Sequence, residues 1–168
     1  MHNRIKLKTI KYNTKILNIL NITKEDFEVY NKLEEFNNIF DIYIEDIDIK
    51  ELELVNTNMS NKELTYLNMI EFKDLEVLDL SENKISNIKI LKILNLEYLK
   101  VLDLHKNNIS DIKVLEKVNF KELELLDLSE NKISDIKVLE NANFKKLKIL
   151  DLGYNEIADI KVLENNYI

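Results

Sequence analysis

LEVLDLSENKIS, at Leu75–Ser86, recurs three more times at a spacing of 24 residues, and this repetition determines the architecture. The later copies are LKVLDLHKNNIS, LELLDLSENKIS and LKILDLGYNEIA, which begin at Leu99, Leu123 and Leu147. Each copy has apolar residues at its first, fourth, sixth and eleventh positions and Asn at its ninth. A fixed period of this length is typical of stacked-repeat proteins, in which each repeat buries its apolar face against its neighbours.

The centre of each copy predicts a β-strand. Leu78 and Leu80 are two residues apart, so their side chains lie on one face of a strand, and Asp79 between them points to the other face. The strands of successive repeats are expected to stack as a parallel sheet, with rows of Leu and Ile forming a continuous core.

A short helix is predicted after each strand. In the segment 110–122, Ile112, Leu115 and Val118 fall at helical spacing, and Ser110 or Asp111 can cap the helix. An apolar anchor precedes each following strand, again at 24-residue spacing: Phe72, Leu96, Phe120 and Phe144.

The pattern LxxLxLxxNxL resembles the leucine-rich-repeat family over about the last 95 residues, and more loosely over the preceding 25. The resemblance implies an α/β, right-handed solenoid with a parallel sheet on its concave side and short helices on its convex side. The style of repeat is similar to bacterial internalins and to the leucine-rich-repeat regulatory subunit of protein phosphatase 1. The resemblance also implies a ladder of buried amides that bond to backbone groups of adjacent repeats, formed by Asn83, Asn107, Asn131 and Asn155.

Two regions are expected: an N-terminal arm, capping helix and strand over 1–48, and repeats over 49–168. A capping box at Thr23–Asp26 and an apolar stripe predict a helix over 23–40 that covers the end of the core. Residues 39–47 read as a strand, and residues 4–12 as a small strand or an arm. Residues 49–71 read as one degenerate repeat, in which Thr57 replaces the ladder Asn.

The charge of the chain is unevenly distributed. Residues 1–24 hold six basic residues and no acidic ones, whereas residues 25–168 hold 18 basic and 31 acidic residues, and the whole chain has a net charge of −7. The basic start either contacts an acidic partner or is a solvated terminus, and the second is preferred. The acidic remainder argues against nucleic acid as a partner. Because the chain has no Cys and no apolar run of membrane-spanning length, a cytoplasmic protein without membrane contact is expected.

The concave face is expected to bind a protein partner, and Tyr154 is its best anchor because Tyr is favoured at interfaces. His105, Lys106 and Tyr154 interrupt a surface that otherwise repeats. The full set of expected partner-binding residues is Asp79, Ser81, Asp103, His105, Lys106, Asp127, Ser129, Asp151 and Tyr154.

Three alternatives are open. One is a phosphatase-regulatory subunit, from the style of repeat. A second is a hydrolase in which Ser81, His105 and Asp127 act as nucleophile, base and acid. A third is a divalent cation held by His105 and the row of aspartates at the fifth position of each copy. The simpler explanation of that row is that water and nearby Lys screen its charge. The preferred expectation has no catalytic residue, no metal and no cofactor, since no nucleotide-binding or metalloprotease motif occurs.

The strand at Leu147–Leu152 is expected to be the last of the sheet, because the sequence ends about three residues before a fifth clear strand would begin. An unpaired edge is a template for strand pairing. Weak self-association through this edge is therefore expected, the alternatives being a fold-back of residues 165–168 or a longer array of repeats.

Overall fold

A computed structural model describes residues 23–44 and 48–164. The chain forms two compact units, Met1–Ile47 and Asp48–Ile168. The predictions made for the basic N-terminal segment, for an arm or strand over 4–12 and for a fold-back of residues 165–168 lie outside the described residues.

The first unit contains helix α1, Lys24–Phe40, which confirms the helix predicted over 23–40. Thr23 and Asp26 form the expected capping box. The Asp26 amide donates to Thr23 Oγ1 at 3.0 Å, and the Thr23 amide donates to Asp26 Oδ2 at 2.8 Å. These bonds satisfy amides that the first turn of a helix leaves without intrahelical partners.

The strand predicted over 39–47 is wrong for the residues that the structure describes. Helix α1 continues through Phe40 and ends at Asp41, whose left-handed backbone (φ 52°) turns the chain. The Ile42 amide then donates to the Asn37 carbonyl at 3.1 Å. The Asn37 side chain donates to the Ile44 carbonyl at 2.8 Å and accepts from its amide at 3.0 Å. A side-chain amide thus occupies the backbone groups that a strand partner would need.

The second unit is built on one parallel sheet whose five strands follow chain order. The strands are β1 (Glu51–Glu53), β2 (Val77–Asp79), β3 (Val101–Asp103), β4 (Leu125–Asp127) and β5 (Ile149–Asp151). Their register aligns each central Leu with the Leu of the next repeat, from Leu52 to Leu150. The solenoid, the parallel sheet and the alignment of the degenerate repeat are therefore confirmed.

The elements that follow the five strands are short, and three of them are single 3₁₀ turns. The first is α2 (Asn61–Leu64), which continues as a 3₁₀ helix over Thr65–Met69. Three single 3₁₀ turns follow, at Lys89–Lys92, Lys113–Glu116 and Lys137–Glu140, and the last element is α3 (Lys161–Glu164). Four residues allow only one turn, for which i→i+3 bonding is usual. Ser110 and Asp111 were the two capping candidates for the turn at Lys113–Glu116. The Asp111 carboxylate accepts a hydrogen bond from the Lys113 amide at 3.0 Å.

The core lies between the sheet and these turns. The central Leu of β1 to β4 and the four apolar anchors at 72, 96, 120 and 144 are buried. Burial decreases at the C-terminal end, where Leu150 and Leu152 are only half-buried. Among the described helices, none has the length and apolar character required to cross a bilayer.

Candidate functional site

An asparagine ladder holds the turns that follow the strands. Asn107 Nδ2 donates to the carbonyls of Leu80, Leu104 and His105 at 3.0–3.2 Å, and its Oδ1 accepts from the Ile85 amide at 2.9 Å. The same bonds recur one repeat earlier and later, from Asn83, Asn131 and Asn155. Each amide bonds both to its own turn and to the preceding repeat, so the repeats keep a fixed spacing.

The ladder continues into the degenerate repeat despite the change to Thr57. The Thr57 hydroxyl lies 3.3 Å from the Leu54 carbonyl and 3.1 Å from Asn83 Oδ1. The first contact matches the bond from each ladder Asn to the carbonyl three residues before it. A hydroxyl has one hydrogen, so Thr57 replaces only part of the Asn bonding.

An acidic residue closes each of the last four strands. The Oδ1 atom of Asp79, Asp103, Asp127 and Asp151 accepts the backbone amide two residues later, at 2.8–2.9 Å. Such a turn holds the carboxylate against its own backbone. The four carboxylates therefore stand in a row along the sheet, and adjacent strands place them about 4.8 Å apart.

The residue three positions after each of these aspartates, and its counterpart in the degenerate repeat, adopts a left-handed backbone with φ of 51–56°. These residues are Asn56, Glu82, Lys106, Glu130 and Tyr154. Long side chains occupy four of the five positions, although Gly or Asn would carry less strain. Gly153 is not left-handed, so the single Gly of the chain does not serve this turn.

The solvent-facing side of the sheet, which we term the exposed sheet face, consists of the first and third residues of each strand. The third residues are the Asp row, extended at β1 by Glu53. The first residue is Glu51 in β1, and from β2 to β5 the first residues form an apolar column in which Val77, Val101 and Leu125 are half-buried and Ile149 is 55% exposed. An apolar column thus runs beside an acidic one.

Ion pairs join neighbouring repeats beside this face. Glu76 lies 2.7 Å from Lys50 Nζ and 2.5 Å from Lys100 Nζ, and Lys148 Nζ lies 2.7 Å from Glu124. The hydrogen bonds from Lys100 and then from Lys50 lower the pKa of Glu76 to about 2. The pairs are exposed, so solvent screens them and they contribute little to stability.

The residues expected to bind a partner differ in accessibility. Tyr154 is 88% exposed, and Lys106 and Asp151 are also exposed. Asp79, Asp103, His105, Asp127 and Ser129 are half-buried. Ser81 is 2% exposed, so it contributes little surface to a partner. Glu53 lies on the same face but is missing from the expected set. The alignment of Leu52 and Leu54 with the later repeats places Glu53 at the position of the aspartates and could have identified it.

The hydrolase arrangement does not match the geometry. Ser81 is buried, and His105 Nδ1 contacts Asp103 Oδ1 at 3.0 Å within its own repeat, where the hypothesis pairs His105 with Asp127. Ser129 Oγ instead donates to Asp127 Oδ1 at 2.6 Å. The nucleophile candidate is therefore inaccessible, and its supposed acid bonds another side chain.

His105 lies in a negative environment. Burial alone lowers the pKa of His105, but the bond with Asp103 and the charges of Asp103, Asp127 and Asp79 outweigh it, so the pKa is raised above its ordinary value. The acidic row therefore favours positive charge at this point of the face.

Comparison with known families matched two leucine-rich-repeat models. The model described as two copies of leucine-rich repeats matches residues 121–165, and the single leucine-rich repeat matches residues 74–96. These models describe the repeat in general and do not single out the phosphatase-regulatory subclass. No curated protein matches the chain.

Solved structures of two internalins from Listeria monocytogenes are similar to this chain. Internalin F is 27% identical over 61% of the chain, with a TM-score of 0.46, and the chain spans 34% of its length. A second internalin is 20% identical over 82% of the chain and 69% of its own length, with a TM-score of 0.51.

The second internalin supports the fold alone, whereas the family models match the repeat sequence itself. Both agree with the five parallel strands and the asparagine ladder. Residues 74–96 and 121–165 are therefore leucine-rich repeats, a kind of repeat whose domains generally mediate protein–protein interaction.

Proposed function

We propose that this protein is a non-enzymatic scaffold that binds a protein partner on the exposed sheet face, with Tyr154, in the turn that follows β5, as an anchor. The observation that carries the proposal is the accessible apolar surface on an otherwise acidic face. Ile149 and Tyr154 are 55% and 88% exposed. Together with the half-exposed apolar side chains of β2 to β4, they form a surface that a partner can bury.

The rigidity of this face supports the proposal. The Asn ladder and the Asp turns fix the backbone on which these side chains stand. A preorganised surface loses little conformational entropy on binding, so more of the contact energy appears as affinity. Tyr154 has two side-chain torsions and a large apolar ring, as is common for residues that dominate interface energetics.

The charge of the face indicates the kind of partner surface. Five carboxylates, from Glu53 to Asp151, align along it, and Lys106 is paired with Glu82 at 3.0 Å. Complementary charge increases the association rate and disfavours acidic partners. We therefore expect a partner segment with apolar and basic side chains.

The experiment compares Tyr154→Ala with Tyr98→Ala. Tyr98 is also a strongly exposed tyrosine (53%), but it lies in the turn before β3, whereas Tyr154 lies in the turn that follows β5. The immobilised full chain retains a partner from lysate, and titration calorimetry then measures the affinity of each variant. Tyr154→Ala should weaken binding by about 1–2 kcal/mol or more, and Tyr98→Ala should bind as wild type does.

The proposal is contradicted if Tyr154→Ala keeps its circular dichroism spectrum and binds like wild type, while Tyr98→Ala loses affinity. That result would indicate that the partner binds the side of the repeats where Tyr98 lies.

A further inference from the structure

We propose that Asp103, His105 and Asp127 form a binding site for one divalent transition-metal ion, with Zn²⁺ as the best-fitting member of the class. One ligand atom from each of the three residues lies within 4.8 Å of the other two. The cluster uses two adjacent strands, β3 and β4, and occurs at one point of the sheet, because only the β3 repeat has His in this position.

The spacing of these atoms is near that of a metal shell. Zinc ligands lie about 2.0–2.2 Å from the ion, so the atoms of a tetrahedral shell are roughly 3.3–3.5 Å from one another. His105 Nδ1 and Asp103 Oδ1 are already 3.0 Å apart. The three side chains are half-buried, and their ligand atoms all lie within 4.8 Å of one another, so side-chain rotation is the movement needed to close the shell.

The donor set selects the class of ion. One imidazole with two carboxylates suits zinc and its neighbours in the transition series, whereas Ca²⁺ and Mg²⁺ prefer oxygen donors alone. The imidazole is what distinguishes this cluster from the rest of the acidic row. Three protein ligands would leave one position of the ion open to water or to a partner side chain.

No lysine ion pair involves the carboxylates of this cluster in the part of the chain that the structure describes. Across residues 23–44 and 48–164, the lysines that form ion pairs bond to glutamates, and none pairs with an aspartate of the row. Direct pairing with lysine therefore does not neutralise these carboxylates, and screening by water and nearby Lys stays the alternative to a bound cation. Stacked carboxylates repel one another, and a bound cation removes that repulsion.

The test titrates Zn²⁺ into the metal-free full chain by calorimetry, with Ca²⁺ and Mg²⁺ in separate runs. His105→Ser places at this position the residue that two neighbouring repeats carry, at 81 and 129. Asp127→Asn keeps the Oδ1 acceptor for the Ser129 amide. The matched control is Asp151→Asn, which makes the same change in the same row outside the cluster. A His2→Ala background removes the other histidine of the chain.

We expect one Zn²⁺ to bind in the wild type, the His2→Ala background and Asp151→Asn alike. His105→Ser and Asp127→Asn should each weaken binding by about tenfold or more. Co²⁺ in place of zinc should give visible absorption bands that disappear in His105→Ser.

The proposal is overturned by any of three results: no saturable zinc binding, equal affinities in wild type and His105→Ser, or equal losses in Asp127→Asn and Asp151→Asn. Tighter binding of Ca²⁺ than of Zn²⁺ would overturn the assignment to transition metals. Circular dichroism of each variant shows that the solenoid is intact.

Discussion

Replacing Asn107 by Ala tests the asparagine ladder at a buried position. Asn107 is 7% exposed. Its loss removes the acceptor of the Ile85 amide, which is buried. The carbonyls that it bonds keep other donors: Leu80 O keeps Asn83, Leu104 O keeps Asn131, and His105 O keeps the Glu82 amide.

The expected loss of unfolding free energy follows from the hydrogen bonds that the substitution removes. One buried amide without a partner costs about 1–3 kcal/mol, and the weakened carbonyl bonds add about 1 kcal/mol. Asn107→Ala should therefore lower the free energy of unfolding by about 2–4 kcal/mol. Asn108→Ala is the matched control, because its half-exposed side chain makes no hydrogen bond to the described residues. It should lie within about 0.5 kcal/mol of wild type.

Urea unfolding, followed by circular dichroism, measures the stability of both variants. The slope of the unfolding free energy against urea concentration should equal that of wild type, so that the midpoints can be compared. Equal midpoint shifts for Asn107→Ala and Asn108→Ala would refute the argument that the ladder bonds stabilise the turn.

Four other outcomes are expected. Leu126→Ala should cost about 2–5 kcal/mol in urea unfolding, because the side chain is fully buried, whereas Asp127→Asn should stay within about 1 kcal/mol. Gly153→Ser should be neutral or raise the unfolding free energy by up to about 1 kcal/mol, since φ is not left-handed and the added Cβ meets only a side-chain oxygen at 3.1 Å. Carboxyl NMR should show Glu76 titrating near pH 2, below its ordinary 4.5, so that its stabilising effect is complete above pH 4.5 and lost as the pH falls through about 2. The edge of β5 should give weak self-association in sedimentation velocity, and a monomer at all concentrations up to high micromolar would contradict this.

The sheet could be predicted from sequence because its determinants repeat. Leu78 and Leu80 specify which face is buried, and the period of 24 residues aligns each strand with the next. The first unit has no such repetition. There, the pattern at Ile42 and Ile44 suggested a strand, but the side chain of Asn37, seven residues before Ile44, bonds to the Ile44 backbone in place of a strand partner.

The backbone conformation, the burial and one side-chain contact of the site could not be predicted from the sequence, for physical reasons. The left-handed turn position holds Glu82, Lys106 and Tyr154, none of which has the preference of Gly or Asn for that backbone. Ser81 and Ser129 occupy the same position of the repeat, yet only Ser129 is half-exposed, and burial of this kind depends on neighbouring side chains. The contact of His105 with Asp103 depends on a side-chain torsion that spacing does not determine.

The constant register of the strands also bears on how such a chain can evolve. Residues 24 positions apart occupy equivalent places in the sheet, so unequal recombination between two repeats joins matching backbone to matching backbone. A gene with this structure can gain or lose one whole repeat without disturbing the pairing on either side. The number of repeats can then change during evolution without loss of the fold. Changes at the surface positions of any single repeat adjust what it recognises.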